Sequence, residues 1–308
     1  MTEATRQRVL EAIRELGYKT PPLDPRFLGP HTHNIGVLAA DLAISPIFSN
    51  LYFGRILDSV LGTCLLQGWG VTIMAERMWD DAGRSIRRTY DGRCDGILAI
   101  APESDAMLQP FAERGVPLVQ VGTPSQHPEI SSVDVDNAKI GRLVAQRFVE
   151  LGHSRLGFIG SAGSISSRER LEGYRKAAAE LGAEVVIREY ASDEPGDVYA
   201  TVIGDAKHLW CTALFCWNDE AALYVARAAA RVGLRIPEDL SVVGVDGVLE
   251  TGCDSYLQPI AEIGRRAVEL LLQRIQTGPA PGERILFDVE PIVRGSVGPN
   301  ATNAKSGG

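Results

Sequence analysis

From Asn34 onward, short apolar runs rich in β-branched residues alternate with helical stretches of about ten to twenty residues. The order is strand 35–40, helix 48–67, strand 71–75, helix 81–91, strand 96–100, helix 105–114 and strand 117–121, then a short strand 131–135 with no clear crossover helix. A second series follows as helix 137–151, strand 155–160, helix 168–182, strand 184–190, helix 196–207, strand 212–216, helix 219–232 and strand 241–245. A helix over 261–276 and strands over 284–288 and 290–294 close the chain. Parallel strands need a crossover between them, so repeated strand–helix–strand units imply parallel sheets covered by helices on both faces. Two such series predict an α/β protein of two Rossmann-like lobes with a cleft between them. Clefts of this kind hold small molecules, and lobe motion is the natural response to a ligand. No sequence repeat marks the two series as copies.

One stretch concentrates the chemistry. Leu151 to Arg175 reads LGHSRLGFIGSAGSISSRERLEGYR: an apolar strand, a loop of glycines and serines over 160–167, and a helix entered through Ser166-Ser167-Arg168-Glu169-Arg170. Strand, tight loop and helix start in that order present a ligand site at the carboxyl end of a parallel strand. Arg168 and Arg170 offer forked donors suited to hydroxyls or carboxylates. Their alternative role is to balance Glu169 and Glu172 on a solvated first turn. Asn218-Asp219 and Asp246-Gly247, each just past a strand, point into the same crevice. Asn218 is equally suited to cap a helix, and Asp246 to make a turn.

Several chemistries lack their residues. Gly157, Gly160 and Gly163 are spaced G-x-x-G-x-x-G, which is not the dinucleotide fingerprint, and no Walker loop, G-x-S-x-G elbow or H-E-x-x-H occurs. No nucleophile–base pair offers itself, so neither an enzyme nor a cofactor is expected. His31, His33, His127, His153 and His208 are scattered singly, and the pair at 31 and 33 fits a solvated linker better than a metal site. The five cysteines, Cys64, Cys94, Cys211, Cys216 and Cys253, form no C-x-x-C pair and read as packed thiols in a reduced compartment. No apolar run reaches membrane-spanning length and the charged start is no secretory signal, so a cytoplasmic protein is expected.

Net charge is −8. Residues 1–33 hold five Lys/Arg against four Asp/Glu, or +1, which leaves −9 for the rest. An acidic body opposes phosphate backbones, so any contact with nucleic acid falls to a segment of different character. Residues 2–16 predict a helix, with Thr2 as cap, Val9, Ile13 and Leu16 on one face and Gly17 at its end. Four prolines in residues 21–30 then make an extended linker.

Seven stretches, in order and at matching spacing, resemble the LacI/GalR family of bacterial transcription regulators. They are Glu3 to Tyr18 (EATRQRVLEAIRELGY), Asn34-Ile-Gly-Val-Leu, Leu151 to Gly160 (LGHSRLGFIG), Arg168 to Arg175 (RERLEGYR), Asn218-Asp-Glu-Ala-Ala222, Ile236 to Asp246 (IPEDLSVVGVD) and Gln258 to Leu272 (QPIAEIGRRAVELLL). The likeness runs from Thr2 to Gly295. It implies a cytoplasmic homodimer whose two-lobed effector domain is similar to periplasmic sugar-binding proteins, and a helix-turn-helix headpiece for operator DNA.

Carried over by position, Ser45 to Phe48 line the cleft from the first lobe, with Phe48 stacking on a sugar face or packing in the core. Arg168, and after it Arg170, grip ligand hydroxyls, and Asn218 and Asp246 bond the same ligand. The implied division is headpiece remnant and hinge over 1–33, a first lobe of 34–135 with 260–277, a second of 136–259 with 278–297, and a disordered tail over 298–308. The effector is expected to be sugar-like, with no membrane partner. A transport system's solute-binding protein is the alternative.

Three departures qualify the resemblance. Helix 2–16 matches the last headpiece helix, so operator DNA is expected to be reached through a headpiece largely absent from this chain. The usual hinge helix is replaced by Pro-Pro-Leu-Asp-Pro-Arg-Phe, whose Pro25 weakens a helix and whose Phe27 takes the place of a leucine wedge. Val121-Gly122-Thr123 lacks the Asp-Arg often found after that strand, which points to an unusual effector.

Overall fold

The computed structural model describes residues 3–16, 31–39, 51–74, 92–102, 108–122, 125, 127–161, 163–190, 210–247 and 252–300. After helix α1 (Glu3–Glu15), the first lobe comprises β1 (Asn34–Ala39), α2 (Leu51–Gln67), β2 (Gly70–Met74), β3 (Gly96–Ile100), α3 (Gln109–Ala112), β4 (Leu118–Val121) and β5 (Ser131–Val135). The second comprises α4 (Asn137–Glu150), β6 (Arg155–Ser161), α5 (Ile165–Glu180), β7 (Glu184–Tyr190), β8 (Ala213–Cys216), α6 (Asp219–Arg231), β9 (Ser241–Val243) and β10 (Ser255–Leu257). The chain then returns through α7 (Ile260–Thr277) and β11 (Arg284–Phe287) and ends with β12 (Glu290–Ile292).

Two parallel sheets organise these elements, in the strand orders β11-β5-β4-β3-β1-β2 and β7-β6-β8-β9. Numbered from its own first strand, the second sheet runs 2-1-3-4 and the first begins the same way before adding β5 and β11, so the topology shows a repeat that the residues do not. Strand β3, Gly-Ile-Leu-Ala-Ile, is buried at every position. Helices cover both of its faces, which is why it is a continuous apolar run without alternation. Helix α7 buries Ile263, Ala267, Val268 and Leu271 on the first lobe, a stripe at helical spacing. In the second lobe, Phe148, Phe158, Tyr174 and Phe215 form a ring-contact cluster, and the Tyr174 hydroxyl donates to the Gly157 carbonyl at 3.2 Å.

Helices α4 and α5 meet backbone to backbone. A Cβ on Gly141 would lie 2.1 Å from the Arg170 carbonyl oxygen, and one on Gly173 2.0 Å from that of Ala138. No side chain larger than hydrogen fits at either point. This contact fixes the start of α5, and Arg170 with it, against the helix that leaves β5.

Three expectations need correction. Strand β11 joins the first sheet, parallel to β5 with Arg284 opposite Ser132 and Phe287 opposite Val135, so 278–297 does not belong wholly to the second lobe. An edge strand's partner is set by tertiary pairing, which its own four residues do not encode. The chain returns only at β12, which pairs antiparallel with β10, a strand absent from the sequence reading. Nor is 298–300 disordered: the Gly298 carbonyl accepts from the His153 ring at 2.9 Å, and Asn300 N donates to the Leu151 carbonyl at 2.9 Å. The Asp254 Oδ1 fixes the preceding turn by accepting from the backbone N–H groups of Arg294, Gly295 and Ser296 at 2.8, 2.7 and 2.9 Å. Helices expected over 81–91 and 196–207, the hinge at 20–30, and Ser45 and Phe48 all lie outside the described residues.

Candidate functional site

The site is built from strand ends of both lobes. Helix α5 begins at Ile165, three residues before the expected start, because Ser164 caps it, with Oγ accepting from Ser167 N at 3.3 Å. Ser167 Oγ accepts from Ser161 N at 3.1 Å and ties the helix start to the end of β6. On this first stretch of helix Arg168 is exposed, while Arg170 turns inward and is 4% exposed. Arg170 Nε donates to Asn137 Oδ1 at 2.9 Å and Nη1 donates to the Trp217 carbonyl.

Asn137 connects the lobes. It opens α4, next to β5, and its Nδ2 donates to Asp134 Oδ2 at 2.9 Å and to Glu169 Oε2 at 3.2 Å. Asp134 lies in β5 of the first sheet and is 3% exposed. Tyr52, from α2 of the first lobe, completes this side, its hydroxyl 3.3 Å from where a Gly122 Cβ would stand. Burial and the carboxylates of Asp134 and Asp246 push the Tyr52 hydroxyl well above the usual phenol range, while Arg170 opposes them.

Asp246 follows β9 and is buried, at 6% exposure, with φ at +121°. A non-glycine residue with such a φ costs on the order of 1–3 kcal/mol, and such strain persists only where the surroundings enforce it. Here the Asp246 N–H donates to the Tyr256 carbonyl at 3.0 Å, and its Oδ1 accepts from Gln258 Nε2 at 2.7 Å. The Gln258 Oε1 is buried without a hydrogen-bond partner among the described residues. Asn218 caps α6, its Oδ1 accepting from Ala221 N at 2.8 Å. That bond engages the amide oxygen and not Nδ2.

The structure thus brings Arg170 and Asp246 into one electrostatic cluster, places Asn218 beside it at the head of α6, and leaves Arg168 outside. Tyr52, Asp134, Asn137 and Gln258 were not singled out from the sequence as site residues. Asp134 carried a signal, since a carboxylate inside the strand Ser-Ser-Val-Asp-Val has no apolar role there. Among the described residues no group of three or more His, Cys, Asp or Glu is arranged to hold a metal ion. No helix among them is long and apolar enough to cross a membrane.

Burial, the dominant cause, raises both Asp134 and Asp246 from the usual 3.8 to about 7, and Arg170 opposes the rise in each. Glu169 raises Asp134 further, and Asp219 raises Asp246. A carboxyl with a raised folded pKa gives stability that is complete below its unfolded value and lost as pH climbs through its folded one. The stability difference between Asp134→Asn and the parent is therefore expected to shift in the variant's favour from about pH 4 to about pH 7 and then level off. The total shift is about 4 kcal/mol or less. Urea unfolding across that range measures it, and parallel pH curves for the two proteins would exclude it.

A family model described as a periplasmic binding protein-like domain matches residues 145–297. The HTH-type transcriptional repressor PurR of Vibrio cholerae is 28% identical over 95% of this chain and 88% of its own. The solved complex of the transcriptional regulator CelR with cellobiose is 27% identical, with a TM-score of 0.76 over 96% of this chain and 91% of that one. Along nearly its whole length the chain is similar to transcription regulators of the LacI/GalR family. A further member, a LacI family transcriptional regulator from Mycobacterium smegmatis, is 25% identical with a TM-score of 0.72 over 87% of this chain and 100% of that one. The two lobes accordingly have the periplasmic-binding-protein-like fold, and the relatives support a DNA-binding regulator with an effector-binding domain.

Proposed function

We propose that the chain is the effector-binding and dimerisation part of a cytoplasmic LacI-type regulator, and that its effector is a sugar or related polar metabolite held between the lobes. One observation carries this reading. Arg170 of the second lobe is buried against groups from both sheets, with Asp134 and Tyr52 on one side and Asp246 on the other. A ligand bonded to both sides favours one lobe arrangement by its difference in affinity for the two states. The cellobiose complex of CelR is consistent with a sugar in this cleft.

A homodimer is supported by α2, which exposes Leu61 at 41%, Leu65 at 79% and Leu66 at 87%, next to Ile73 of β2 at 38%. A change in lobe angle within such a dimer resets the spacing of its two N-terminal segments, and with it the engagement of operator half-sites. Helix α1 takes the place of the last helix of the DNA-binding headpiece.

The test is calorimetric titration of sugars, polyols and purines into the parent protein and Asp246→Gly. Glycine relieves the positive φ and removes the buried carboxylate, so at pH 8 the variant is expected to melt no lower than the parent. Its affinity for the ligand is expected to fall at least about tenfold, the size of one lost charged hydrogen bond. A ligand that binds both proteins equally would place the effector elsewhere.

A further inference from the structure

The donors and acceptors of this cleft are out of balance. Arg170 spends Nε on Asn137 and Nη1 on the Trp217 carbonyl. Asn137 spends its Nδ2 on Asp134 and Glu169, and Gln258 spends its Nε2 on Asp246. Much of the site's donor capacity is thus taken up by its own framework, and among the described residues Arg170 Nη2 and Asn218 Nδ2 are what is left. The acceptors are in excess: two carboxylates at 3% and 6% exposure, with the half-buried Glu169 beside them. Among the described residues neither Asp134 nor Asp246 lies within ion-pair distance of a cation, since Arg170 faces both but bonds neither. Independently of the acids, the amide oxygen of Gln258, on a side chain 2% exposed, has no donor among the described residues, although the nitrogen of the same amide holds Asp246.

We propose that Asp134, acting with Asp246 and Gln258, makes the cleft select ligands that bring hydrogen-bond donors, either neutral polyhydroxyl compounds or their aminated forms, and reject phosphorylated or carboxylated ones. The inference rests on the effector reading above and sharpens it from a polar metabolite to a charge class. A phosphate dianion supplies only acceptors and would face two buried carboxylates across a single arginine. Such like-charge contact is how binding sites discriminate among ligands of similar shape. Hydroxyls, or an ammonium group, would satisfy Asp134, Asp246 and the Gln258 oxygen together.

The experiment is a thermal-shift and calorimetric series at pH 8 with glucose, glucosamine, glucose 6-phosphate, ribose, ribose 5-phosphate, and inorganic phosphate against chloride at matched ionic strength. The proteins are the parent, Asp134→Asn, Asp246→Asn, the double variant, Glu169→Gln and Arg170→Ala. Each Asp→Asn change keeps an acceptor for Asn137 or Gln258 while removing the charge, and the single variants carry the comparison if the double does not fold. Phosphate and the sugar phosphates are expected to leave the parent unshifted and to bind the Asp→Asn variants at least about tenfold more tightly, with a corresponding rise in melting temperature. Stabilisation of the parent by phosphate or a sugar phosphate that Arg170→Ala removes would overturn the inference, as would Asp→Asn variants that gain nothing. If no neutral sugar binds the parent, the sugar-effector reading fails, while the phosphate comparison still decides the charge class.

Discussion

Arg170→Ala is expected to abolish effector binding and to destabilise the protein by about 3 kcal/mol, the cost of stripping a buried charged group from its partners. The substitution leaves Asn137 Oδ1 and the Trp217 carbonyl without their donor. It also removes the positive charge of Arg170 that faces the buried Asp134 and Asp246, so both hold their protons to higher pH. Arg170→Lys separates the two losses. Its ammonium restores charge to the cluster, and with it part of the stability, but a single head group cannot span Asn137 and Trp217 while presenting a fork to a ligand. Urea unfolding and calorimetric titration of both variants give the comparison. Effector affinity within twofold of the parent in Arg170→Ala would remove this residue from the site.

The second large effect is expected far from any polar group. Gly173→Ala would put a methyl carbon 2.0 Å from the Ala138 carbonyl oxygen, and Gly141→Ala one 2.1 Å from that of Arg170. Backbone atoms cannot step aside as a flexible side chain does, so α4 and α5 must separate. Overpacking of this kind costs about 3 kcal/mol. The atom that Gly141 would strike belongs to Arg170, so the shift also loosens the bond between Arg170 and Asn137. Effector affinity is expected to drop about tenfold in Gly141→Ala, as for the loss of one charge-assisted hydrogen bond. Gly163→Ala is the control, since nothing lies within 4 Å of its added carbon, and it should change neither quantity. Equal melting temperatures for all three variants would contradict the close approach of the helices.

Much of this architecture was legible in the residues. Val119 and Val121 of β4, the all-apolar β3 and the amphipathic α7 announced parallel sheets under helices, because burial on both faces or on one stripe leaves its mark in local pattern. Strand pairing leaves no such mark, which is why β11 was assigned to the wrong lobe and β10 was missed. The arginines are a more instructive case. Positions 168 and 170 lie on different sides of a helix, and chemistry alone could not choose between them. Yet Ser167, Arg170, Tyr174, Ala177 and Ala178 follow the spacing of one buried face, and it is this face that α5 turns inward. Reading that period through the polar residues would have selected Arg170. Asp134 left a trace as a carboxylate inside a strand, but its partners, like those of Gln258, became visible only in the fold, since such surroundings are assembled from strands far apart in sequence.

The polypeptide passes between the two halves three times, after β5, before α7 and after β11. Two bodies joined by one strand can tumble freely, and joined by two they can still twist about a line. Three tethers, the first and third side by side where Phe287 lies opposite Val135, leave chiefly one cheap degree of freedom, a rocking that opens or shuts the lobes. An effector therefore has no need to push the molecule along a particular route. Whatever small energy it contributes is channelled into a single angle, and that angle is the quantity the rest of the assembly can read.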